Sequence, residues 1–167
     1  AQGNGPRGLT NHSSRRLRRG LTKALGLMSD SIAYLRLESG AILPDAPCSN
    51  PFRAVVAVEV AVTPQWQSLV SDWLVQSGCL YMMAWGQGCS SWDDSVDLSN
   101  LEQCNFADIP DDQFVMTTWH ADEPLTEVFW FSKHTASHPT IELHHTLLLH
   151  ISSKDREQEF MQRYDEA

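Results

Sequence analysis

The stretch from Ala54 to Trp85 limits the possible folds more tightly than any other part of the sequence. Ala54–Val62 (AVVAVEVAV) is β-branched and almost continuously apolar, the pattern of a strand covered on both faces. Thr63 then offers an N-cap, and Pro64 fits the first helical position, where a missing N–H costs nothing. Trp66, Leu69, Val70, Trp73 and Leu74 follow at helical spacing, which predicts one apolar stripe with both tryptophans in the core. Gly78 stands where a left-handed C-terminal residue is expected, and Cys79–Trp85 (CLYMMAW) is a second buried-strand run. A strand, a helix and a strand within about 32 residues make a βαβ unit, which requires a parallel pair joined by a right-handed crossover.

The alternation extends on both sides. Ser31–Leu37 (SIAYLRL) reads as an edge strand, and the stretch from Ser39 to Pro51, with Gly40, Pro44 and Pro47, as a loop. Ser90 or Ser91 caps a helix to about Leu101, with Asp93 and Asp94 in its first turn. Phe114–Trp119 is a third buried strand, and Pro124 opens a helix that ends near Ser137–Pro139. Ile141–Ile151 is a fourth strand and Lys154–Tyr164 a charged closing helix. The expected class is α/β: a three-layer α/β/α sandwich around a mostly parallel sheet of four to five strands, loosely Rossmann-like.

Charge divides the chain sharply. Residues 1–27 hold six of the twelve basic residues and no acid, so residues 28–167 set six basic residues against 21 acids, a formal charge of −15. Residues 28–167 are expected to form a single α/β domain. The basic segment 1–27 is read as a disordered tail or a non-native extension, with Met28 as the natural start; a basic arm and an organelle transit peptide are the alternatives. So acidic a domain repels a phosphate backbone, which argues against nucleic acid as its ligand and for a basic protein partner. No apolar run approaches the roughly 18–20 residues that span a bilayer. Cys48, Cys79, Cys89 and Cys104 show no C-x-x-C spacing, which points to reduced thiols in a cytoplasmic protein, with Cys79 acting as a small buried hydrophobe. The oligomeric state stays open.

In parallel sheets, sites form beyond the carboxyl ends of the strands. Those ends deliver a candidate rim of Cys89, Asp93, Asp94, His120, Asp122 and Glu123, with Trp85, Trp92 and Trp119 beside it; Glu59, late in the first strand, and His150–Ser153, at the end of the fourth, stand at strand ends as well. Cys89 on a Gly-rich strand-to-helix turn, with His120 as base, is the candidate nucleophilic pair, although Asp93 and Asp94 set negative charge beside the sulfur. Asp93, Asp94, His120 and Asp122 are the candidate ligands of a divalent metal, but acids in the first turn of a helix also serve its dipole. Gly86-Gln87-Gly88 fails the G-x-G-x-x-G spacing at Ser91, so no nucleotide cofactor is expected. Histidines 144, 145 and 150 share a strand without H-E-x-x-H spacing and read as structural. The tryptophans beside acids suit a protein-binding or cation-binding patch, and equally wedges that seal the end of the sheet.

The segments W-G-x-x-C-x-x-W-D-D (Trp85–Asp94) and T-T-W-H (Thr117–His120) resemble those of a small group of bacterial proteins described only as a domain of unknown function. The resemblance covers about Pro51 to Ser152 and implies a bacterial, cytosolic, stand-alone small domain; it supplies no activity and no catalytic residues. The expectation is therefore a non-enzymatic interaction, regulatory or immunity-type module. The alternative is a small hydrolase or metal-dependent enzyme built on the Cys/His/Asp rim.

Overall fold

The computed structural model describes residues 30–167; the basic segment 1–27 lies outside the described residues. Five strands and four helices follow in order: β1 (Ser31–Leu37), β2 (Phe52–Val58), α1 (Pro64–Gln76), β3 (Cys79–Gly86), α2 (Ser90–Gln103), β4 (Met116–His120), α3 (Leu125–His134), β5 (His145–Ile151) and α4 (Glu157–Glu166). The sheet order is β1-β5-β2-β3-β4 and every neighbouring pair is parallel. The β2–α1–β3 unit is the parallel crossover that its sequence pattern predicts. Thr63 caps α1 by accepting a hydrogen bond from the Trp66 backbone N–H at 3.3 Å. Gly78 closes the helix at φ +92°, where an added Cβ would lie 2.4 Å from the Cβ of Asn50.

The central strands are buried on both faces, which explains their unbroken apolar character. Along β2, Ala54, Val56 and Val58 face a core shared with Val70, Leu74, Trp92 and Val96 of α1 and α2. Val55 and Ala57 face the opposite core, built with Val128, Phe129, Phe160 and Tyr164 of α3 and α4. The result is the three-layer α/β/α sandwich. No helix among the described residues is long and apolar enough to cross a membrane.

Several boundaries differ from the sequence expectation for physical reasons. β2 ends at Val58 rather than Val62, because its partners stop opposite that residue, at Gly86 and Ile151. The buried stripe of α1 is Trp66, Gln67, Val70, Ser71, Leu74 and Val75, while Leu69 is 58% exposed. The helix is rolled toward α2, where small polar groups permit close approach: Ser71 and Ser95 hydroxyls are 2.8 Å apart, and Gln67 Nε2 donates to the Ser91 carbonyl at 2.8 Å. Trp66 is buried and Trp73 half-buried. Their indole N–H groups donate to the carbonyls of Ala41 and Pro44, tying down the helix-free connection between β1 and β2. β5 begins at His145 rather than Ile141, because the preceding chain folds around the buried His138 ring, whose Nδ1 lies 3.2 Å from the Ile141 N–H and Nε2 2.8 Å from the Phe114 carbonyl.

Candidate functional site

The chain reverses its direction of travel across the sheet where β5 inserts beside β2, and the carboxyl ends of those two strands form the topological switch point. Glu59 directly follows β2, and His150 and Ser152 sit at the end of β5. The His150 ring is fully buried, stacked on Phe160 at 4.3 Å. Its Nε2 lies 2.9 Å from Glu59 Oε2 and its Nδ1 2.8 Å from the Tyr34 hydroxyl of β1. The Arg156 backbone N–H donates to that hydroxyl at 3.2 Å. The Tyr34 O–H is then the donor to Nδ1, and Nε2–H is the donor to Glu59. Ser152 Oγ donates to the same carboxylate oxygen at 3.0 Å, and the Arg156 guanidinium donates to Oε1 at 2.5 Å.

Burial raises the Glu59 carboxyl, but the hydrogen bonds from His150 and Ser152 and the positive charge of Arg156 outweigh it and hold the group below its ordinary range. Burial lifts the Tyr34 phenol above its ordinary value. Side chains thus fill the switch-point crevice, and the network links β1, β2, β5 and the start of α4. The His150 ring is buried beneath them. A concavity of about 320 Å³ lies instead at the amino-terminal end of the sheet, lined by Asn50, Pro51, Cys79, Asp112, Gln113 and Ile141 among others. Its chemistry is poor: burial pushes the Cys79 thiol up to about 12, far from a thiolate at neutral pH.

The residues of the proposed rim separate into two groups on opposite sides of the sheet. Cys89 and Trp92 are buried in the core beneath α1 and α2. His120 lies on the other side, edge-on to Phe131 at 5.1 Å, with Nδ1 2.8 Å from Glu123 Oε2 and Nε2 3.1 Å from the Thr118 hydroxyl. Trp85 joins that second group, its indole N–H donating to the Glu123 carbonyl at 2.7 Å. His120, Glu123 and Trp85 are therefore brought together, while Cys89 is not among their partners. Asp122 and Asp94 are exposed. Among the described residues no group of three or more His, Cys, Asp or Glu side chains is arranged to hold a metal ion.

Trp119 stands apart from both groups. It lies on β4, an edge strand, and is 53% exposed. Strand parity puts it on the same side as Thr117, whose hydroxyl donates to Asp97 Oδ1 of α2 at 3.1 Å. Burial, with added repulsion from Asp93 and Asp94, raises the Asp97 carboxyl despite that hydrogen bond. Asp93 Oδ1 is buried with no hydrogen-bond partner. No lysine or arginine occurs anywhere from Ala54 to Ser132, against twelve acids. Among the described residues, four of the six cations are committed: Arg53 to the carbonyls of Ser132, Ala136 and Leu143, Lys133 to those of Asp165 and Ala167, and Arg156 and Arg163 to Glu159. Among the described residues, the α2–β4 side is thus a field of one sign.

The family model described as Domain of unknown function (DUF7684) matches residues 32–167. The chain belongs to this family. The DUF7684 match starts within β1 and takes in all five strands and four helices, well beyond the span of about Pro51 to Ser152 that the sequence segments suggest. It includes Tyr34 and Arg156 along with Glu59 and His150, so the whole switch-point network falls inside the DUF7684 region. No curated protein and no solved structure matches the chain. From the sequence of this DUF7684 domain, Glu59 and His150–Ser153 read only as residues at strand ends; their union with Tyr34 and Arg156 in one network is what that reading missed. Its signal was a single polar residue interrupting an apolar strand, Glu59 in AVVAVEVAV and His150 in LLLHI.

Proposed function

We propose that this domain is a non-enzymatic protein-interaction module that binds a basic partner through the α2–β4 side. One observation carries it: Trp119 is half exposed on an edge strand, within a stretch from Ala54 to Ser132 that holds twelve acids and no lysine or arginine. Aromatic anchors supply much of the binding energy at protein interfaces, and Trp119 offers such an anchor beside the acids of α2. Acids on α2 that no cation among the described residues offsets cost stability through like-charge repulsion, and a cationic partner removes that cost. A regulatory or immunity-type role for this domain suits its charge and size, and the proposal places the protein in the bacterial cytoplasm with its thiols reduced.

The enzymatic alternative, a small hydrolase or metal-dependent enzyme, needs Cys89 and His120, or His120 and several carboxylates, at one place. The placement of Cys89 and His120 beneath opposite helical layers speaks against it. The test is titration of the full chain with arrays of basic, neutral and acidic peptides across ionic strength. Selective binding of basic peptides, weakened by salt and by Trp119→Ala, is expected. Equal binding of all three classes, or indifference to Trp119→Ala, overturns the proposal.

A further inference from the structure

We infer that the basic partner docks as an extended strand added to the open edge of β4. The inference rests on the interaction reading above and names how the partner is held. Among the described residues β4 pairs with β3 alone, on one side. Among the described residues, Met116–His120 make no backbone hydrogen bond to anything but β3. Their outward N–H and C=O groups form a template for another strand.

Two features single out this edge from the other. β1, the opposite edge, carries Arg36, a charged guard of the kind that discourages pairing. β4 reads Met-Thr-Thr-Trp-His, with no proline, lysine, arginine or acid, and its register with β3 is unbroken. Threonine and tryptophan both favour extended backbone.

Charge then selects the occupant. The edge lies between Asp93, Asp94 and Asp97 of α2 and the acids Asp122, Glu123 and Glu127 that follow β4. A second copy of this chain would bring the same acids to the contact, so self-pairing is disfavoured. A segment with lysine or arginine at alternate positions fits. On one face of the added strand its cations would meet Trp119 and Asp97, and its intervening side chains would lie beside Met116 and Thr118 on the other.

The test uses the full chain and three synthetic peptides: one alternating arginine with valine or threonine, the same peptide with alternate backbone nitrogens methylated, and an acidic counterpart. Fluorescence anisotropy gives affinity, and amide hydrogen exchange reports on Met116–His120. The expected result is binding of the first peptide with new protection along β4, and a loss of about tenfold or more on N-methylation, which blocks backbone hydrogen bonds without removing charge. Trp119→Lys, which guards the edge at an exposed position, abolishes binding while circular dichroism shows an unchanged fold. Equal binding of the methylated peptide, or binding without protection of β4, overturns strand addition and leaves the basic-partner reading standing. Failure of the basic peptide to bind even at low salt overturns both. A concentration-dependent dimer that protects β4 without peptide assigns the edge to self-association and overturns the inference.

Discussion

Replacing Glu59 with glutamine tests the switch-point network most directly. The carboxylate accepts three hydrogen bonds, from His150 and Ser152 on Oε2 and from Arg156 on Oε1. Glutamine keeps one acceptor oxygen and replaces the other with a donor. Turned with its oxygen toward His150 and Ser152, its amino group faces the guanidinium, so one charge-assisted bond is lost. Such a bond contributes about 1.5–3 kcal/mol. The side chains of Glu59 and Arg156 are 23% and 30% exposed, so water recovers part of it, and a loss of about 1–2 kcal/mol follows.

Glu59→Ala costs more, because it also strands the Nε2–H of a fully buried His150; about 3–4 kcal/mol is expected. For a domain of this size, 1 kcal/mol corresponds to roughly 3–5 °C in Tm. The pH dependence has a definite sign. A carboxyl held low in the folded state contributes stability that is complete above its unfolded value of about 4.3 and is lost as pH falls through the folded value. Urea unfolding followed by tryptophan fluorescence should show a constant gap between wild type and Glu59→Gln from neutral pH down to about pH 5, closing in more acid. A Glu59→Gln protein as stable as wild type at neutral pH, or a gap that persists in acid, refutes the assignment.

Three further outcomes follow from the geometry. Gly86→Ala places a Cβ 2.2 Å from the Val58 carbonyl oxygen at φ +94°, so a loss of about 3–5 kcal/mol in denaturant unfolding is expected. Asp97→Asn keeps an acceptor for Thr117 and removes repulsion from Asp93 and Asp94; it should stabilise the fold at neutral pH by about a few tenths of a kcal/mol, seen as a small rise in Tm, and the gain should vanish in acid where Asp97 is protonated. Trp92→Ala should cost about 3–5 kcal/mol, since Trp92 is 1% exposed, whereas Trp119→Ala should stay within about 0.5 kcal/mol of wild type in the same unfolding assay.

The central layers were legible because their physics is local. Apolar runs mark doubly covered strands, and Thr63-Pro64 and Gly78 mark the ends of α1. Element ends were less legible because they depend on partners: β2 stops where β3 and β5 stop, a fact of register and not of local sequence. The face of α1 was misjudged at Leu69 because packing against α2 through Ser71 and Gln67 outweighs the apolar stripe. The rim residues stand at or just beyond strand ends, yet Cys89 and His120 fall beneath different layers, because Cys89 begins α2, which packs on one face, while strand parity turns His120 at the end of β4 to the other. The Glu59–His150–Tyr34 network joins residues from three distant strands, and strand order is what brings them together.

That order has a bearing on how the molecule is made. Among the described residues β1 touches no strand but β5, and its first pairing, Ser31 with His145, spans 114 residues of chain. A growing polypeptide can assemble β2, β3 and β4 with their helices while β1 waits without a neighbour. Only when the stretch through Ile151 has left the ribosome can β5 slide between β1 and β2, join the two parts, and deliver His150 to Glu59. Closing so long a loop is slow, and every chain halted before that point keeps its first strand unpaired.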